Sequence, residues 1–487
     1  MLINIFIFNI FIKVINMKFI EFGWGHSNDE NPLKSGAYAV TEALKNIEND
    51  KYINLAFLFS SPDYEPEEVL NGVKLILGND IPIVGGSARY SIINNEPHKG
   101  VSVGIISSKY IDIGIGVGLG VSINPEECGK KAIETAIKDL GMAPKLVMVF
   151  MDCCNFEEEV LNGIIKKLGM CVPIFGGVTS DNFEFSRTYQ YCNDVYVDSV
   201  VCVVFGGDIV PKITVGRFTE RELISKKTKG RVTEANKRYV SKINNINALD
   251  YYMSVFNYKK LGEISKDREF YFTHQFGTLD LNNEKIHIKG PISIKNNALV
   301  FGSNIREGVE LIDYEIDKDK IKHIFEEVNK SILNTPPQYP HAFSFLALPV
   351  YLAEIGKDKT NEWLEVLKDL YPLFGFSSYG EIVFSEYNNY TIALCSILPD
   401  LANICIKEGI SMITKYPATK ETIKKIYEMG GSVKIEELAE NLGIHRRTAY
   451  DRVEPLLKHG FVKKEGAKVE LTDLGKLLLE KFILKFW

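Results

Sequence analysis

The sequence predicts an α/β chain in three parts: duplicated αβαβ half-domains with mixed sheets, an α+β second domain, and a small C-terminal module of helices with a β-hairpin. Three observations carry this. A phrase of helix, turn and strand is written twice in fixed register, short alternating runs separated by turns follow it, and the last 73 residues break into helix, tight turn, helix and hairpin.

The duplicated phrase is Glu67–Gly72 with Ile81–Gly86, which returns as Glu158–Gly163 with Val172–Gly177. Pro82 to Pro173, Gly85 to Gly176 and Leu70 to Leu161 are each displaced by 91 positions. Upstream, Leu55–Phe59 falls on Leu146–Phe150, and Gly36–Lys45 resembles Gly129–Lys138. Each copy reads as helix, buried apolar strand, helix and a short strand ending in Gly-Gly, followed by strands such as Val101–Ser107 and Val200–Phe205. A period near 90 is domain-sized, too long for a solenoid repeat, and implies a duplicated half-domain with pseudo-two-fold symmetry. Paired glycines after a strand either make a tight turn or let a ligand approach the backbone, because no Cβ stands in the way. Ligands in open α/β sheets sit at the C-terminal ends of strands, so a cleft between the halves is the expected binding place.

Composition is that of an ordinary globular chain of 487 residues, long enough for two to four domains, with 25% charged residues. Its formal net charge of −6 is uneven: residues 415–487 carry 15 Lys+Arg against 11 Asp+Glu, and residues 1–414 carry 42 against 52. Only the C-terminal piece is built to meet a polyanion. Eight cysteines without a CxxC pair, most of them in apolar runs, point to reduced thiols in a cytoplasmic protein. Cys153-Cys154, next to each other after the Leu146–Met151 strand, read as buried reduced thiols rather than a redox pair. The eight histidines do not cluster, so no metal is implied.

In chain order, residues 1–16 are apolar but too short to span a bilayer, and carry Asn4, Asn9 and Lys13 with no small-residue cleavage site after them. No membrane association is expected. Translation from Met17 would start directly on an alternating strand, so the first domain is set at 17–225. Gly114, Gly116, Gly118 and Gly120 alternate with period two and fit no G-x-G-x-x-G fingerprint; they belong on one face of a strand, where they let another layer pack close. No cofactor is implied. The polar, basic stretch Lys226–Lys242 reads as a helical connection into a second domain at 245–400. There Phe270–His274, Lys285–Lys289, Ala298–Phe301 and Val309–Glu315 read as strands, Asp317–Leu333 as an amphipathic helix, Phe343–Tyr351 as a strand, Asn361–Leu370 as a helix and Tyr390–Ile397 as the closing strand.

With the two Gly-Gly strand ends, Gly375-Phe376-Ser377-Ser378-Tyr379-Gly380-Glu381-Ile382 and the Tyr387–Thr391 approach to the last strand make residues 18–400 resemble the FIST family, with its N-terminal and C-terminal FIST domains. The resemblance implies an intracellular sensory module for small ligands, amino acids among them. Two departures stand out. Asn388-Asn389-Tyr390-Thr391 replaces the family's usual His-Asn-Gln-Thr, and Ala347-Leu348-Pro349-Val350 holds no Cys or Arg. Gly85, Gly86, Ser87, Asp152, Gly176, Gly177, Thr179, Ser377, Tyr379, Gly380 and Glu381 are the expected ligand-binding residues, because three glycine turns at strand ends recur in separate segments and pockets favour domain interfaces.

Residues 415–487 form the third module. Ala418–Met429 is an amphipathic helix ended by Gly430-Gly431, Ile435–Leu442 a second, Gly443-Ile444-His445 a tight turn, and Arg446 opens a third. Phe461–Lys464 and Lys468–Leu471 make a hairpin through Glu465-Gly466, and Thr472 caps a last helix reaching Trp487. Together these resemble a winged helix-turn-helix domain, whose partner is double-stranded DNA. Arg446, Arg447, Thr448, Tyr450 and Arg452 lie on the recognition helix, which Pro455 should kink beyond its DNA-facing end, and Lys463, Lys464 and Lys468 lie on the hairpin. The expected function is that of a ligand-responsive, one-component transcription regulator, with a homodimer matching palindromic sites. An enzyme using Asp152 and Glu381, or a protein-binding scaffold, is the alternative. No G-x-S-x-G elbow runs through Gly85–Arg89 or Gly375–Gly380, and no catalytic residue is assigned.

Overall fold

The computed structural model describes residues 19–48, 50–153, 156–185, 188–225, 227–259, 267–279, 285–335, 341–355 and 359–483. They fall into two compact units, one of Ile20–Thr335 with His341–Leu398 and one from Pro399 onward. The start at Met17, Cys154 and the helix end at Trp487 lie outside the described residues.

The larger unit is mixed α/β and is built on three six-stranded sheets of one design. In the first, the order is Glu21–Ser27, Val101–Ser107, Ile53–Ser60 and Ile83–Ser87, then the hairpin Gln190–Cys192 and Val195–Tyr196. The second runs Ile111–Leu119, Ser199–Gly207, Leu146–Met151 and Ile174–Val178, then the hairpin Glu381–Val383 and Glu386–Asn388. The third runs Ile209–Gly216, Ile392–Pro399, Phe343–Pro349 and Leu373–Ser378, then the hairpin Ser91–Ile93 and Glu96–His98. In each, the central strand and the glycine-bearing strand are parallel, with Leu58 opposite Gly85, Val149 opposite Gly176 and Leu346 opposite Gly375. Every glycine strand is completed by a hairpin from a different segment, so the three sheets are linked in a cycle.

This arrangement corrects the expected boundary. Residues 343–399 do not form a separate sheet with 246–316 but complete the same interleaved system as residues 21–216. The physical reason is exposed backbone: a glycine-rich strand left at an edge needs a partner for its N–H and C=O groups, and the hairpins supply it. The inner faces carry phenylalanine. Phe57 and Phe345 lie 4.8 Å apart, Phe59 and Phe150 5.6 Å, and Phe150 and Phe345 6.2 Å, drawing one ring or more from each sheet into a common core.

Helices cover the outer faces. Pro32–Lys45 and Pro66–Leu77 pair with each other, as do Pro125–Leu140 and Glu157–Leu168. Gly114, Gly116 and Gly118 face the Pro125–Leu140 helix, where an added Cβ would collide with the carbonyl oxygens of Ala136, Ala132 and Cys128. The alternating glycines thus set the strand-to-helix distance.

Residues 223–316 supply a nine-stranded sheet, with Lys229–Asn236 and Tyr239–Ile243 among its strands. The expected helical connection over Lys226–Lys242 is therefore a hairpin, and the buried/exposed alternation of Lys229–Asn236 shows why: its period is two, not 3.6. Phe270–His274, expected as a strand, is instead covered by the helix Arg268–Thr273, whose Asp267 cap accepts a hydrogen bond from Phe270 N at 3.2 Å before the chain turns into the strand His274–Leu279. A short aromatic run carries no period long enough to decide between the two. Several hairpins turn on asparagine pairs with positive φ, Asn94-Asn95, Asn244-Asn245 and Asn296-Asn297, the residue type that tolerates this backbone after glycine.

In the smaller unit, Leu401–Lys415 and Pro417–Glu428 precede the short strand Ser432–Lys434, the helix Ile435–Leu442, a left-handed Gly443 and the helix Arg446–Lys458. The last of these continues through Pro455. Val462–Glu465 and Lys468–Leu471 pair through a turn, and Ser432–Lys434 adds a third strand to Lys468–Leu471. Thr472 Oγ1 accepts from Gly475 N at 3.1 Å, capping Asp473–Leu478. Ile426, Ile435, Leu438, Ala449, Val453, Leu456, Phe461 and Val469 form its core.

Candidate functional site

The central strand Leu146–Met151 delivers Asp152 and Cys153 to the space before the helix Glu157–Leu168, the place where α/β sheets present ligands. Asp152 is held in place: its carboxylate accepts from Cys153 N at 2.8 Å, from Asp198 N at 3.0 Å and from the Thr188 hydroxyl. Burial raises its pKa against these three hydrogen bonds. Burial also raises the Cys153 thiol, with the Glu157 carboxylate adding to the effect.

The next element arrives from the nine-stranded sheet. Its turn Lys237-Arg238 grips the start of the helix: the Lys237 ammonium sits 3.9 Å over the Phe156 ring, and Arg238 Nη2 donates to Glu157 Oε2 at 2.9 Å. Both members of this ion pair are about 5% exposed or less. Arg238 Nε and Glu157 Oε1 have no hydrogen-bond partner among the described residues. A carboxylate on the first turn of a helix is favoured by the helix dipole, and Glu157 lies there.

The third wall comes from residues 379–391. Tyr379 donates its hydroxyl proton to Asp181 Oδ1, accepts from Phe183 N at 2.8 Å, and stacks on Phe185 at 4.4 Å. Tyr387 donates to Gly302 O at 3.3 Å, and Asn389 Nδ2 donates to Tyr379 O at 3.4 Å. Glu381 is fully buried; its Oε2 accepts from Thr391 N and Oγ1, both at 3.1 Å, and its Oε1 has no partner among the described residues. Burial pushes its pKa well above the ordinary glutamate value despite those hydrogen bonds. Beside this cluster lies a cavity of about 30 Å³ bordered by Arg217, Lys289 and the Tyr387–Thr391 segment.

Of the residues singled out in the sequence, Asp152, Tyr379 and Glu381 border this cluster. The others interlock in the protein itself. Ser180 Oγ donates to Ser377 O at 2.7 Å, Tyr90 N donates to Ser377 Oγ at 2.9 Å, and Tyr189 N donates to Ser87 Oγ at 3.3 Å. Thr179 Oγ1 accepts from Gln190 Nε2 at 2.8 Å. Space for a Cβ is filled by Leu58 O at Gly85, Tyr189 O at Gly86, Val149 O at Gly176, Ser378 Oγ at Gly177 and Tyr387 OH at Gly380. What comes close to these glycines is neighbouring chain.

Glu157, Arg238, Lys289 and Tyr387 escaped the sequence reading. Arg238 sits in a stretch whose many charges made it one cation among several, and nothing in its spacing tells it from Lys237. Among the described residues, no group of three or more His, Cys, Asp or Glu is arranged to hold a metal ion, and no helix is long and apolar enough to cross a membrane.

In the smaller unit, Arg446, Arg447 and Thr448 are exposed on the first turn of the Arg446–Lys458 helix, with His445 Nδ1 accepting from Arg447 N at 3.3 Å. Arg446 pairs with Glu436 at 2.8 Å and Arg452 with Glu421 at 3.3 Å. Lys464 and Lys468 are exposed, and Lys464 lies 5.2 Å over the ring of Tyr450. Lys463 points the other way, half-buried and paired with Glu470 at 2.9 Å, because neighbouring residues of a strand face opposite sides.

No curated protein matches the chain. Among solved structures, the cyanuric acid hydrolase of A. caulinodans covers 79% of this chain and 99% of its own at 8% identity and a TM-score of 0.31, too remote to carry an argument. Residues 54–246, which include Asp152, Glu157 and Arg238, match the model of the FIST N domain.

Proposed function

We propose that the protein senses a small organic ligand beside the Glu157–Arg238 pair and passes the signal to DNA through its C-terminal unit, as a one-component transcription regulator. The observation that carries the sensory half is the buried, incompletely partnered Glu157–Arg238 pair, which lies inside the FIST N match. Buried charges with unused donors and acceptors favour a ligand that completes them.

The DNA half rests on a winged helix-turn-helix reading of the order helix, tight turn, helix, hairpin, with Arg446, Arg447 and Thr448 exposed at the start of the recognition helix and Lys464 and Lys468 on the hairpin. A homodimer on a two-fold site belongs to the same reading. Sensing is preferred to catalysis because Asp152, Tyr379 and Glu381 are each held by hydrogen bonds, and burial makes the Cys153 thiol a poor nucleophile.

The test is DNA binding by the full chain, against fragments from upstream of its own gene, with and without small-molecule extracts. Salt-sensitive, sequence-selective binding that an extract modulates is the expected result. Absence of any preferred fragment at low salt sinks the regulator and leaves a protein-binding scaffold.

A further inference from the structure

The cavity of about 30 Å³ beside the polar cluster is bordered by two cations, Lys289 and Arg217, and by Tyr387, Asn388 and Asn389. Lys289 is half-buried and donates to a neutral group, Ser303 Oγ at 2.9 Å, and makes no ion pair among the described residues. Glu158 and Glu386 act on it only from beyond contact, and burial pulls its pKa below the ordinary lysine value. An ammonium has three donors, of which one is used.

Arg217, unlike Lys289, has a counter-ion, but one on the solvent side. Its Nη2 donates to Glu386 Oε2 at 2.9 Å and to Asn388 Oδ1 at 3.4 Å, and its Nε has no partner among the described residues. Glu386 stands at the rim with 59% of its side chain exposed, so it neutralises Arg217 from the solvent side and leaves the inner donors. A cation short of a counter-ion in a half-dry cavity costs free energy that an incoming anion returns.

We infer that this cavity is a carboxylate subsite, in which Lys289 and Arg217 receive the two oxygens of a small organic acid. The two cations call for an anion, and the small space between them and the Tyr387–Thr391 segment for a small head group. The guanidinium and ammonium together give the charge-assisted hydrogen bonds that such a head group takes. The inference deepens the sensor reading by naming its ligand class, but it needs only the cavity and its cations.

The experiment follows thermal stability and calorimetric binding of the full chain with acetate, against chloride at matched ionic strength, for the wild type, Lys289→Met and Arg217→Gln. Expected are a saturable acetate response in the wild type, its loss in Lys289→Met, and binding about tenfold weaker in Arg217→Gln, as for one lost charge-assisted hydrogen bond. If Lys289→Met does not fold, the part-exposed Arg217 carries the comparison. No saturable wild-type response, an undiminished response in the variants, or equal binding of inorganic phosphate would overturn the assignment. Acetate binding that leaves DNA binding unchanged keeps the subsite and removes only the coupling to DNA.

Discussion

Arg238 and Glu157 meet through one arm each. Nη2 donates to Oε2 at 2.9 Å, while Nε and Oε1 have no partner among the described residues, although the pair is almost wholly buried. A fork-to-fork pair would engage both arms. The single contact ties the nine-stranded sheet to the helix that follows the central strand Leu146–Met151, and it leaves one arm of each side chain unused among the described residues.

Removing one partner strands the other charge. Arg238→Met or Glu157→Leu is expected to destabilise the larger unit by roughly 3–5 kcal/mol in urea unfolding, and the double variant to lose much less than the sum. Additive losses would mean that the two side chains act independently.

Gly85 and Gly176 have φ of 141° and 152°, and a Cβ on either would run into the carbonyl oxygen of Leu58 or Val149. Gly85→Ala and Gly176→Ala are expected to cost about 3 kcal/mol or more, since backbone strain and overpacking add. Gly430→Ala is the control, with φ of 86° and nothing within 4 Å of the new methyl, and is expected to cost only about 1 kcal/mol. Equal losses at all three sites would show that packing against the neighbouring strand contributes nothing.

His26 lies 4.6 Å from His98, ring to ring, and 3.2 Å from Ser102 Oγ. Burial first, and then His98, lower its pKa from 6.5 to about 4. Between these values the unfolded chain takes up a proton that the folded chain refuses, so stability falls as pH drops from 6.5 towards 4. His26→Gln should flatten that part of the pH–stability curve, as read by unfolding midpoints; an unchanged slope would assign it to other groups.

For DNA, the exposed lysines and the paired one separate. Lys464→Ala and Lys468→Ala are expected to weaken all sequences alike and each to lower the salt slope by about 0.9, whereas Lys463→Ala, already paired with Glu470, changes the slope little. Arg447→Ala is expected to relax sequence preference by about 1–3 kcal/mol at one position. Competition binding at several salt concentrations distinguishes the two classes.

The sequence by itself determined local elements that are bounded by turn residues or carry an apolar run or a helical period. Leu146–Met151, Ala298–Phe301 and Ile435–Leu442 have the expected type and bounds, and Gly114, Gly116 and Gly118 lie on one strand face against a helix, whereas Gly120, expected with them, follows the strand with φ of 80°. Hydrophobic period and glycine spacing are properties of neighbours in the chain, so they can be read from the chain. Tertiary structure alone decided which hairpin closes which glycine strand. Gln190–Cys192, Glu381–Val383 and Ser91–Ile93 are short strands whose partners lie in other segments, and no local signal names a partner that far away. The same holds for the site. Asp152 and Tyr379 could be singled out because they follow strands, and Glu381 because it follows a glycine turn, but Arg238 is set apart only by burial beside Glu157, 81 residues earlier, and burial makes one charged residue among many expensive to leave unpaired.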